Sequence, residues 1–174
     1  MKRHILLSLT LLAGLSSLLS AQSLKVNDLE YFEDRGINVL VYSNLYNGMF
    51  CDEKTAAIEI IQRGDRIATG GGIRLMNTPE QWDIYPVMES RTVDRKDNSI
   101  EVVLYYKEYD FRSKIKVTGK DKGVTMAVYL DKPVPEELAG KAGMNMEFFP
   151  ASYFGKNYLM DGASVMKYFK INGN

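Results

Sequence analysis

The chain has 174 residues, 22 basic and 22 acidic side chains, 45% hydrophobic residues, one histidine and one cysteine. Charges that balance and mix along the chain exclude the clustered positive field that nucleic acid or an anionic membrane surface requires. The lone cysteine, Cys51, excludes an internal disulfide and a cysteine-rich zinc site, so the fold has to rest on its core.

The first element in chain order is a leader. Lys2, Arg3 and His4 form a basic start, residues 5–19 are apolar with only small or hydroxyl interruptions, and Ser20, Ala21 and Gln22 offer small residues to a peptidase. An apolar run of about 15 residues falls short of the roughly 20 that cross a bilayer, which predicts a signal peptide over residues 1–21 and no stable membrane anchor. Export to the periplasm or beyond follows. Cys51 lies too far downstream to be the lipid-bearing first residue of a lipoprotein. Because His4 belongs to the leader, the mature chain of residues 22–174 has no imidazole, the commonest general base. Its length suits one domain.

Past the leader, apolar residues recur at every second position, the period of a strand with one face in a core. An acidic stretch with Asp28, Glu30, Glu33 and Asp34 leads, exposed, into a first strand over 37–43. Residues 57–61 follow with Ile58, Ile60 and Ile61, and 87–93 alternate less clearly. Ile100, Val102, Leu104 and Tyr106 alternate with Glu101, Val103 and Tyr105. Phe111, Ser113, Ile115 and Val117 alternate with Arg112, Lys114, Lys116 and Thr118, which predicts a buried face backed by a solvated basic stripe. Val124, Met126, Val128 and Leu130 continue the series. Residues 95–98 and 119–123 are short, polar and tolerant of positive φ, as hairpin turns need. Pro133 and Pro135 end the last clear strand, and residues 135–138 suit one helical turn with its acids at the positive end. Residues 144–149 predict another strand, 153–160 a partly apolar segment, and 163–174 a tail without a partner. The expected fold is all-β: an antiparallel β-sandwich, immunoglobulin-like or part of a larger supersandwich, incomplete at its C-terminus.

Candidates for chemistry are few. Glu108 and Asp110 flank Tyr109 at a bend and, two apart, could share a strand face as an acid/base pair of a small hydrolase; a solvated corner explains them as well. Asp94, Asp97, Asn98 and Glu101 lack the order of a calcium loop and fit a hairpin turn. Gly70, Gly71 and Gly72 precede Ile73-Arg74 rather than the Gly-Lys-Ser/Thr of a nucleotide loop, so they predict a bulge or close crossing of backbones. Trp82, Tyr85 and Tyr105 are the candidates for stacking on sugar rings, as in a free-standing carbohydrate-binding module with polysaccharide as its partner. No metal or cofactor is expected.

Residues 42–56, 69–75 with the three glycines, 78–83 with Trp82, 130–133 with Asp131-Lys132-Pro133, and 147–162 with Phe148-Phe149-Pro150 resemble, as a set, the N-terminal β domain of secreted bacterial hydrolases of glycoside hydrolase family 9. The resemblance spans residues 24–162. It implies a non-catalytic module beside a catalytic (α/α) barrel that carries the acids, so no catalytic residue transfers to this sequence. It also implies that the β unit docks on that barrel, and Met144, Met146, Phe148, Phe149, Tyr153 and Phe154 are the candidates for the interdomain seam; closure of the sandwich core is the alternative use for them.

Overall fold

The computed structural model describes residues 23–48, 51–75, 84, 86–159 and 165–167, and within them the chain is almost wholly antiparallel β. In chain order the strands are β1 Lys25–Val26, β2 Phe32–Asp34, β3 Ile37–Val41, β4 Leu45–Gly48, β5 Cys51–Thr55, β6 Ile58–Gln62, β7 Asp65–Leu75, β8 Val87–Asp94, β9 Ser99–Tyr106, β10 Phe111–Lys120, β11 Gly123–Leu130, β12 Ala142–Phe148, β13 Asn157–Leu159 and β14 Val165–Lys167. A six-stranded sheet runs β1-β2-β3-β6-β7-β12 and a four-stranded sheet runs β11-β10-β9-β8. β4 with β5, and β13 with β14, make separate two-stranded ribbons. The all-β sandwich expected from the alternation is the architecture observed.

Two strands show how the alternation becomes packing. Phe111, Ser113, Ile115 and Val117 of β10 are buried, as are Ile100, Val102, Leu104 and Tyr106 of β9. All of these but Ser113 meet Leu24, Phe32, Val39, Val41, Ile58 and Leu75 of the larger sheet in one continuous cluster. Each large apolar side chain of the cluster contributes on the order of 1.5–3 kcal/mol by leaving water, whereas the Ser113 hydroxyl, buried without a hydrogen-bond partner, offsets part of that gain. Leu138, on the short 3-10 turn Glu136–Leu138, fills the same cluster and explains why an acid-headed helical turn sits between the sheets' edges.

The sheets cross. The turn residue Asn98 accepts from the Val26 amide at 2.9 Å and donates to the Leu24 carbonyl at 2.8 Å, which seats one end of the four-stranded sheet on β1. At the other end of β9, the Tyr106 hydroxyl donates to the Ile73 carbonyl of β7 at 2.9 Å. Three strands separate β1 from β7 in their sheet, so β9 runs across that sheet rather than along it. Arg91 of β8 closes one side: its Nε donates to the Val41 carbonyl at 2.8 Å and its guanidinium also binds the carbonyl and carboxylate of Glu30. Glu30 is therefore a clasp between the sheets rather than merely one of several exposed acids.

The glycine triplet lies inside β7, where the registers with β6 and β12 both shift and Gly70 takes φ +64. A Cβ on Gly71 would stand 2.6 Å from the Ile58 Cβ and 2.6 Å from the Met146 methyl, so the backbones approach as only glycine permits. The triplet is the expected bulge. No helix among the described residues is long and apolar enough to cross a membrane. The proposed leader, residues 1–21, lies outside the described residues.

Candidate functional site

β12 is an edge strand, and its residues divide between the core and the outside. Ala142 and Met146 pack against the central cluster, whereas Met144 is 42% exposed, and a register shift falls between Asn145 and Glu147. Beyond the strand the Phe149 amide still donates to the Ile67 carbonyl at 3.0 Å, and Pro150 then opens the one-turn helix Pro150–Tyr153 with its ring at a first helical position. That turn brings the Tyr153 ring edge-on to Phe148, with centroids 5.5 Å apart. Phe148, Phe149 and Phe154 remain 47%, 39% and 42% exposed. Arg74 with Glu147 at 2.9 Å, and Lys156 beside the Tyr153 ring at 5.5 Å, set charges beside this apolar group. Of the six seam candidates, Met146 thus belongs with the core, Tyr153 is half-buried, and Met144, Phe148, Phe149 and Phe154 form the exposed set.

Tyr105 sits on the outer face of the four-stranded sheet. Its hydroxyl donates to Asp110 at 3.1 Å, and that bond pushes the hydroxyl above the ordinary tyrosine range. The Arg112 guanidinium lies 4.0 Å from the ring centroid and forks onto both Glu89 oxygens at 2.9 Å, which holds its own pKa above the usual arginine value. A stacked guanidinium occupies a ring face that a sugar would use. Tyr106 is core. Trp82 and Tyr85 lie outside the described residues.

Glu108 and Asp110 do not share a strand face. Glu108 stands exposed in the 3-10 turn Lys107–Tyr109, and Asp110 caps that turn in the left-handed region with φ 42. Asp110 is committed to Tyr105, with Arg112 at 3.7 Å and Lys132 at 3.6 Å. The tight turn makes the two acids neighbours of a corner and not opposing walls of a cleft.

The acids of residues 94–98 build a hairpin turn. Asp94 accepts from the Lys96 and Asp97 amides at 2.8 and 3.0 Å, and Asp97 accepts from Lys116 Nζ at 2.6 Å and from Ser99 at 3.2 Å. The Lys116 bond, then the Ser99 bond, hold the Asp97 carboxyl below the usual aspartate range. The expected basic stripe on β10 is present, but Arg112, Lys114 and Lys116 are met by Glu89, Glu101 and Asp97. Among the described residues no cluster of three histidine, cysteine, aspartate or glutamate side chains gathers as a metal site would need.

One buried acid escaped the sequence reading. Glu59, between Ile58 and Ile60 of β6, is 1% exposed, and its two oxygens take Arg66 Nε at 2.9 Å and Asn44 Nδ2 at 3.0 Å. The Asn44 carbonyl in turn accepts from the Ala56 amide at 2.7 Å, so Glu59 anchors the base of the β4–β5 ribbon. A single acid inside an isoleucine-rich strand was the available signal. With both oxygens engaged, the carboxylate acts as a structural clamp.

Comparison with known protein families, with curated proteins and with solved structures finds no match for this chain.

Proposed function

We propose that this chain is a non-catalytic β-sandwich module of an exported polysaccharide-degrading glycoside hydrolase, and that it supports and orients the catalytic (α/α) barrel. The observation that carries the reading is the exposed set Met144, Phe148, Phe149 and Phe154. These large apolar side chains stand outside a core that closes without them, and one contiguous stretch of chain supplies them all. Such a group is what a docking seam presents before its partner is seated. The resemblance to the family 9 β domain names the partner, and it supports the reading from the sequence side.

Two measurements test this. The reading frame beyond codon 174 is expected to encode helical hairpins with paired acids, and a frame without them removes the partner. In a chain that includes that barrel, Phe148→Asp with Phe154→Asp should separate one cooperative thermal transition into two and lower glycosidase activity. Unchanged melting and turnover would show that the seam is not a docking surface.

A further inference from the structure

Four strands end the two sheets, namely β1, β12, β8 and β11. Three are protected in the ways that discourage edge pairing. β1 has only two residues. β8 has a register shift between Met88 and Ser90, carries Glu89 and Asp94, and turns Arg91 toward the other sheet. β12 meets β7 across a register shift and carries Glu147, paired with Arg74.

β11 has none of these devices. It runs in unbroken register against β10 from Lys120↔Gly123 to Ser113↔Leu130, and Gly123–Leu130 contains no charged residue and no proline. Among the described residues no strand pairs with its far side. Val124, Met126 and Val128 on its inner face are only partly covered, and Leu130 is 45% exposed.

We propose that β11 pairs antiparallel with β11 of a second copy of this chain, about a two-fold axis at Ala127, so that the two four-stranded sheets become one. The axis at Ala127 sets Met126 against the partner's Val128 and Val124 against the partner's Leu130, all inner-face apolar positions. It sets Thr125 against the partner's Tyr129 on the outer face. A slip of one residue would oppose inner to outer positions and break the pleat. Ala127, aligned with the outward Lys116, places a small side chain where the two copies come closest. A charge on a strand crossing such an axis lies near its own copy, and β11 carries none, whereas β8 and β12 both do. This contact uses a different edge from the seam, and it stands or falls independently of the proposed function.

Sedimentation of the purified chain over a range of micromolar concentrations should show a monomer–dimer equilibrium. Ala127→Lys points outward, so the variant should keep its circular dichroism while losing the dimer. With Cys51→Ser in the same chain, Ala127→Cys should form a disulfide dimer under mild oxidation, since directly opposed Cα atoms lie about 4.5–5.5 Å apart across such a pair. Thr92→Cys, on the outer face of β8, should not. A chain that stays monomeric with Ala127→Cys unlinked overturns the proposal. So does a dimer that survives Ala127→Lys, or one lost through Phe148→Asp alone.

Discussion

Asn98 and Gly119 are bonded to each other twice: the Gly119 amide donates to the Asn98 main-chain carbonyl at 2.9 Å, and the Asn98 side-chain amide donates to the Gly119 carbonyl at 3.0 Å. The same side chain holds Leu24 and Val26 of the facing sheet, so one residue joins two hairpins and the first strand. Its φ of 50 is a conformation asparagine tolerates better than most residues.

Asn98→Ala therefore removes three part-buried hydrogen bonds and keeps an unfavourable backbone. It should cost about 3 kcal/mol, read as a lower urea midpoint at constant slope. Asn98→Gly relieves the backbone and should cost about 1 kcal/mol less. Equal losses for both would show that the left-handed conformation carries no strain.

Gly71→Ala forces a methyl against the Ile58 Cβ, which has no flexible end to yield. A loss of about 1–3 kcal/mol is expected. Gly143→Ala, beside Met144 in the same strand and with nothing within 4 Å, should be neutral or slightly stabilising. Thermal unfolding of the pair checks both, and a tolerated Gly71→Ala would mean that β6 and β12 can part.

Glu59→Ala should lower stability by about 1–2 kcal/mol, because the part-buried Asn44 amide loses its acceptor, while Arg66, 48% exposed, can turn to water. Glu59→Gln keeps one of the two bonds and should recover roughly half. Protease cleavage near the β4–β5 ribbon should rise with Glu59→Ala well before global melting. Unchanged cleavage would show that the ribbon is held by other contacts.

Asp97 makes stability respond to acid. Its carboxyl titrates lower in the folded chain than in the unfolded one, first through the Lys116 bond and then through Ser99. Between the two values the unfolded chain holds more protons, so stability rises with pH there. The contribution is complete above the ordinary aspartate range near about pH 4, and it is lost as the pH falls through the folded value. Asp97→Asn should flatten that part of a stability-against-pH curve. An identical curve for the variant would assign the acid limb to other carboxylates.

The four-stranded sheet was legible because its inner face is apolar at every second residue, from Ile100 to Tyr106 and from Phe111 to Val117. β7 was not. Asp65 and Arg66 open it and three glycines interrupt it, so it has the composition of a loop, yet its place between β6 and β12 makes it the longest strand in the structure. β1 and β2 were hidden by brevity, since two or three residues show no period. Short length hid β13 and β14 as well, where residues 153–160 were expected only as a partly apolar segment. β8 alternated weakly because a register shift turns its side chains over midway. Across residues 144–154 the sequence did not show which of the apolar side chains stay exposed. Met144 and Met146 share one face of β12, and their unequal burial comes from the assembled sheet, in which the Met146 methyl lies over the bare backbone of Gly71.

The first strand's dependence on distant turns sets an order of events during synthesis. Leu24 donates its amide to the Asp121 carbonyl, and its own carbonyl is taken by Asn98, so the Asn98 bond waits for 74 further residues to leave the ribosome and the Asp121 bond for nearly a hundred. Contacts this far apart in sequence make folding slow and late. A chain emerging N-terminus first therefore leaves its opening strand unsatisfied until the second hairpin has followed, and only then gains its native shape.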